Sequence, residues 1–171
     1  LLMSIYDQKA KKEVNNNSTT DKFDFESVVA FGNHSIFELF YGKMNQNIFE
    51  EAVLYAINMD YKEIVIHYFD DYEKLGFSPS YFLISNSLNE SFIKETDEWF
   101  NFLFEKYKKI EPKKLKSLIE QLLDYACLYS NYAASKKLID IIHTRNPTKD
   151  FSTAFIKASS SGSMSICKYL I

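Results

Sequence analysis

Five stretches of the chain carry one apolar template, anchored at Val28, Ala56, Ser91, Ala126 and Ala158, with the anchors 28, 35, 35 and 32 residues apart. Three positions before the anchors stand Phe25, Val53, Leu88, Leu123 and Phe155. Eight after come Ile36, Ile64, Trp99, Ala134 and Ile166, and nine after come Phe37, Val65, Phe100, Ser135 and Cys167. Twelve after come Phe40, Tyr68, Leu103, Leu138 and Leu170, and thirteen after come Tyr41, Phe69, Phe104, Ile139 and Ile171. Around the anchors only Ser135 departs from the apolar rule. Offsets 8, 9, 12 and 13 make one face at helical period. The template therefore predicts a short first helix around each anchor and a second helix after it. A period in the low thirties with two helices per unit is the signature of a solenoid, in which each unit covers its neighbour's apolar stripe.

Gly and Pro fall at the breaks between those helices. Gly disfavours a helix interior by about 1 kcal/mol and Pro by about 3 kcal/mol relative to Ala. Pro79, Pro112 and Pro147, with Gly42 and Gly76, lie between one unit's second helix and the next unit's first. Gly32 and Gly162 sit four residues after an anchor, and Asp60 and Ser130 hold that place elsewhere, a choice suited to a turn. The units run over about 22–43, 47–73, 79–109, 113–144 and from Asp150 to the last residue. The first helix of the third unit is the weakest, because Ser85, Asn86, Ser87 and Asn89 are poor helix formers. Asp150 or Ser152 is expected to cap the first helix of the fifth. Residues 1–21 read as the remnant of a helix followed by a polar loop, and no stretch alternates like a strand. The expected fold is an all-α solenoid of about five stacked helix–turn–helix units over 22–171. Unit five offers no polar outer face, so the array is expected to continue beyond Ile171 into further units or an intimate partner.

Composition narrows the field. A net charge of −3 gives no general attraction to nucleic acid or to an anionic membrane, and no apolar run nears the roughly 20 residues that span a bilayer. Cys127 and Cys167 fall on helices of different units and read as small buried hydrophobes in an intracellular, reducing compartment. The fifteen Phe and twelve Tyr fit an AT-rich coding sequence or a sticky aromatic interface.

The template resembles the ankyrin repeat. Ala158-Ser159-Ser160-Ser161-Gly162 followed by Ile166-Cys167-Lys168-Tyr169-Leu170-Ile171 matches it best, then Ala56-Ile57 with Ile64-Val65. Thr153 stands where the family's Thr-Pro-Leu-His tetrapeptide begins, but Ala154 replaces the Pro, and the tetrapeptide is missing throughout. The β-hairpin fingers also look shortened, with hardly room for one between Tyr41 and Ile48. The main alternative is another α-solenoid such as the tetratricopeptide repeat, whose two helices are about equal in length and whose second carries a small residue. The ankyrin resemblance implies a binding scaffold. It also implies that the two residues before the turn face the groove: Ala30-Phe31, Asn58-Met59, Ile93-Lys94, Leu128-Tyr129 and Ser160-Ser161. Phe31, Asn58, Met59, Ile93, Lys94, Leu128 and Tyr129 are accordingly the candidate partner-binding residues; packing against fingers or neighbouring helices is the alternative use of these side chains.

Other chemistry is sparse. His34, His67 and His143 have no ligand at the spacing of a zinc site. Asp70, Asp71 and Glu73, and Asp21, Asp24 and Glu26, lack the spacing of a calcium loop. The chain carries no phosphate-binding loop, nucleophile elbow or zinc-protease helix, so no cofactor, metal or catalytic residue is expected. Lys106, Lys108, Lys109, Lys113, Lys114 and Lys116 gather around Pro112 and suggest docking to an acidic partner, or simply a solvated inter-unit loop with lysines at a helix C-terminus. Without Arg they do not suggest a nucleic-acid reader. The expected function is a non-enzymatic protein-interaction scaffold, cytoplasmic or cytoskeletal, with a structural part in a large assembly as the alternative.

Overall fold

The computed structural model of the chain describes residues 46–94 and 96–171. The first of the five units and residues 1–21 lie outside the described residues. Among the described residues the chain is all helix, with no strand: α1 (Gln46–Asn58), α2 (Lys62–Leu75), α3 (Tyr81–Phe92), α4 (Glu98–Ile110), α5 (Pro112–Leu128), α6 (Tyr132–Arg145), α7 (Ser152–Ser160) and α8 (Met164–Leu170). Internal contacts divide it between Tyr68 and Phe69, and each part is described by itself.

In the first part, Phe49 of α1 meets Tyr68 of α2 edge to face, with ring centres 4.9 Å apart, and Val53, Ala56, Ile57, Ile64 and Val65 are buried around them. In the second part, α3 pairs with α4, α5 with α6 and α7 with α8. α5 packs between α3 and α7, making a row of first helices, and α8 packs on α6 in the row of second helices. α4 and α6 are tied by Lys137, whose Nζ lies 4.7 Å from the centre of the Phe104 ring and 3.0 Å from Glu105.

One turn design recurs inside the helix pairs. The N–H of Tyr61, Asn131 and Ser163 each donates to the carbonyl five residues back, that of the anchors Ala56, Ala126 and Ala158, at 2.9 Å. The residue before each of them bonds the carbonyl three back: Asp60 to Ile57, Ser130 to Cys127 and Gly162 to Ser159. This is the Schellman closure, which requires one left-handed residue. Asp60, Ser130 and Gly162 supply it with φ of 64°, 58° and 72°. Ala56, Ala126 and Ala158 have no accessible surface, which accounts for their small side chains.

The third unit departs from this pattern. α3 ends one residue after its anchor Ser91, and α4 begins at Glu98. Its first helix is nevertheless complete, because its poor helix formers are satisfied locally. The Ser80 hydroxyl accepts the N–H of Leu83, Ser87 and Ser91 donate to the carbonyls of Ile84 and Leu88, and the Asn86 amide donates to that of Phe82. The buried hydroxyls of Ser87 and Tyr107 also meet at 2.9 Å, joining α3 to α4.

The described template positions are buried except at Phe155, Leu170 and Ile171 in the fifth unit. Ser135 is fully buried, and its hydroxyl lies 3.7 Å from the Cys127 sulfur. Pro112 is not in a break: it opens α5 at the first helical position, where its missing N–H costs nothing, and Glu111 alone joins α4 to α5. At α7 the capping position belongs to Phe151, which makes no side-chain bond. Asp150 serves from one residue earlier, accepting the Ser152 N–H at 2.8 Å and its hydroxyl at 3.0 Å.

Candidate interaction surface

The within-pair turns carry the residues predicted to bind. Phe31 lies outside the described residues. Asn58 and Met59 end α1 in the first part of the chain, and both are exposed. In the second part Ile93, Leu128 and Tyr129 follow or end α3 and α5, with 56%, 40% and 47% of their surfaces open, and Lys94 is half-buried. Adjacent turns are stitched together. The Asn131 amide donates to the Phe92 carbonyl at 3.4 Å, and the Ser161 hydroxyl donates to that of Cys127 at 2.8 Å. These bonds hold the C-terminal ends of α3, α5 and α7 along one edge. Ile93, Leu128 and Tyr129 therefore share that edge as exposed side chains on a fixed backbone.

At Leu128 and Tyr129, as at Asn58 and Met59, the Schellman turn explains the exposure, whereas Ile93 follows α3 in a right-handed conformation outside such a turn. Once the chain reverses at the left-handed residue, the two residues before it lie past the last position that faces the helix row. Those two side chains leave the core whatever their polarity. Large apolar residues there are not needed for folding, and such surface commonly marks a contact site.

The lysines divide into two sets. Lys106 pairs with Asp70 at 3.6 Å and lies 5.9 Å from the Phe69 and Phe102 ring centres. Lys108 pairs with Glu105 at 3.6 Å. Lys114 pairs with Glu111 at 3.5 Å and donates to the Ser78 hydroxyl and the Pro79 carbonyl at 2.9 and 2.8 Å. These three are engaged inside the fold. Lys109, Lys113 and Lys116 are exposed and enter no ion pair among the described residues.

A further exposed cluster, which the template did not mark, joins α6 to α8. The Tyr169 hydroxyl donates to Asp140 at 2.6 Å, its ring meets Tyr132 edge to face at 6.2 Å, and Lys136 lies 5.5 Å from its centre. The bond to Asp140 raises the Tyr169 pKa. The offsets that mark the buried stripe skip Tyr132 and Tyr169, and only the packing of α6 on α8 brings them together.

Titrating groups elsewhere behave as structural parts. Burial raises the carboxyl of Asp124 above its usual range and pushes the thiol of Cys127 up. The hydrogen bond from Lys137 holds Glu105 below its usual range. Both cysteines are free and buried. His67 and His143 are exposed, and His34, Asp21, Asp24 and Glu26 lie outside the described residues. Among the described residues no group of three or more His, Cys, Asp and Glu side chains is placed to hold a metal ion, and no helix is long and apolar enough to cross a membrane.

No family model, curated protein or solved structure matches the chain.

Proposed function

We propose that the chain is a non-enzymatic scaffold of ankyrin-like helical units that binds a protein partner along the turn edge of its first helices, in the cytoplasm or on the cytoskeleton. The exposed trio Ile93, Leu128 and Tyr129 on one stitched edge, with Leu128 and Tyr129 in the repeated turn, carries the reading. The ordered rows of first and second helices support the solenoid. The left-handed residue four after a small anchor supports the ankyrin-like turn. The near-equal lengths of α3 and α4, 12 and 13 residues, are a feature shared with tetratricopeptide-like solenoids.

The occupant is a protein segment with an apolar face, since the edge offers apolar side chains flanked by Ser130 and Ser161. The test compares partners captured by the chain with those captured by Ile93→Ser/Leu128→Ser/Tyr129→Ser. The expected result is loss of a defined partner with an unchanged melting midpoint. Equal capture by both proteins, or unfolding of the variant, refutes the reading.

A second reading, a structural part clamped on several faces of an assembly, is favoured by apolar exposure away from this edge. Tyr81 and Phe82 at the start of α3, Ile156 on α7 and Met164 on α8 are all exposed. A chain that stays monomeric and soluble without its native assembly argues for the scaffold.

A further inference from the structure

The N-terminal ends of α3 and α5 lie at the opposite end of the first-helix row from the turn edge. At 1.5 Å per residue, α3 separates the two ends by about 18 Å. Tyr81 and Phe82 open α3, and both are exposed, Phe82 by 61%. Thirty-five residues later, the interval that separates the anchors Ser91 and Ala126, Lys116 and Ser117 occupy the same register on α5. α3 and α5 pack against each other, and the bonds from Lys114 to Ser78 and Pro79 pin the start of α5 to the approach to α3. The shared register and these bonds place the aromatic pair and the lysines of the α4–α5 junction at the same end of the first-helix row.

Lys114 is paired with Glu111 and Lys108 shares Glu105 with Lys137, whereas Lys109, Lys113 and Lys116 enter no ion pair among the described residues and carry the open charge of the patch. It is a local positive surface on a chain whose net charge is −3. Lys113 and Lys116 are three apart on one helix and present their charges to the same side. Tyr81 and Phe82 are successive residues of a helix, so their side chains diverge by about 100°. They form an apolar knob rather than a ladder on which bases of a strand stack. The patch also lacks Arg, so nothing in it offers a planar fork for phosphate. We propose that this surface binds an acidic protein segment carrying a bulky apolar residue: its carboxylates meet Lys109, Lys113 and Lys116, and its apolar side chain packs against Phe82 and Tyr81. The site is separate from the turn edge and does not depend on what binds there.

The probe is a fluorescein-labelled Glu-Glu-Phe-Glu-Glu-Phe-Glu-Glu peptide, followed by fluorescence anisotropy with the 171-residue chain. Binding is expected, and it should weaken as salt is raised, because exposed charges are screened. Lys113→Glu/Lys116→Glu should weaken it by about 10-fold or more, the factor that accompanies each step of 1.4 kcal/mol in affinity. Phe82→Ser should weaken it as well, with the melting midpoint unchanged because the side chain is exposed. Ile93→Ser/Tyr129→Ser should leave it intact, which separates this site from the turn edge. If the charge-reversed protein fails to fold, Lys113→Gln/Lys116→Gln takes its place. Absence of binding, binding unaffected by the lysine and Phe82 variants, or tighter binding of a short oligothymidylate overturns the proposal.

Discussion

Asn131 binds Ala126 and reaches past it. Its N–H donates to the Ala126 carbonyl at 2.9 Å, its side-chain oxygen accepts the N–H of Ala134 at 2.9 Å, and its amide donates to the Phe92 carbonyl at 3.4 Å. One residue thus closes the turn, caps α6 and ties the end of α5 to the end of α3. Asn131→Ala should cost about 1 kcal/mol through the lost cap, with a further loss at the α3 contact. Asn131→Asp keeps the capping oxygen and removes the amide donor, so it should fall between the two. Denaturant melts order the three proteins; Asp as poor as Ala would mean that the cap contributes little.

The left-handed residues make a sharper set. Ser130→Val places a β-branched side chain at φ 58° and should cost about 1–2 kcal/mol. Asp60→Gly and Ser130→Gly should be neutral or stabilising. Gly162→Ala should be destabilising from backbone strain alone, because a Cβ there meets no atom within 4 Å. Thermal melts of the four proteins provide the check, and a tolerated Val would show that the turn is not held left-handed.

Ala126 has no accessible surface and sits where α5 meets its neighbours. Ala126→Leu adds three carbons at that contact, and overpacking of this kind costs about 1–3 kcal/mol. An unchanged midpoint would place Ala126 beside spare volume. Tyr129→Ser, three residues on and exposed, should leave the midpoint in place.

The start of α7 depends on pH. The N–H and hydroxyl of Ser152 bond the Asp150 carboxylate and hold its pKa below the usual value of 3.8. A carboxylate with a depressed folded pKa contributes stability that is present above its unfolded pKa and is lost as pH falls through the folded one. Asp150→Asn should therefore lower stability near neutrality and make no difference well below pH 3.8. Melting midpoints measured across that range decide it; a penalty that persists in strong acid would point to packing instead of charge.

How far the sequence carried the fold differs from element to element. The register of Val53, Leu88 and Leu123 and of the second-helix stripes was readable, because a side chain at fixed helical spacing faces its neighbour whatever the details. The turn sites at Asp60, Ser130 and Gly162 were readable because few residues take a left-handed backbone at low cost. The α3 helix was harder to read, since propensity counts Ser and Asn against it while their bonds to nearby carbonyls exist only once it has formed. The fifth unit fits the pattern at Phe155, Leu170 and Ile171 yet leaves them open, because burial depends on what packs against a position and not on its spacing.

The candidate surfaces divide in the same way. By itself the sequence determined which residues follow the anchor, and so which side chains a turn of that kind pushes out of the core. It also showed six lysines in a run. The pairs of Lys108 with Glu105 and of Lys114 with Glu111 are three residues apart and local, and only the tertiary structure decided that Lys106 meets Asp70 and that Lys114 reaches Ser78 and Pro79. It alone packed α3 on α5 and joined Tyr132 to Tyr169. The physical reason is that spacing along a chain specifies local backbone geometry, whereas an ion pair or an aromatic contact between helices depends on distances across the fold that no single segment contains.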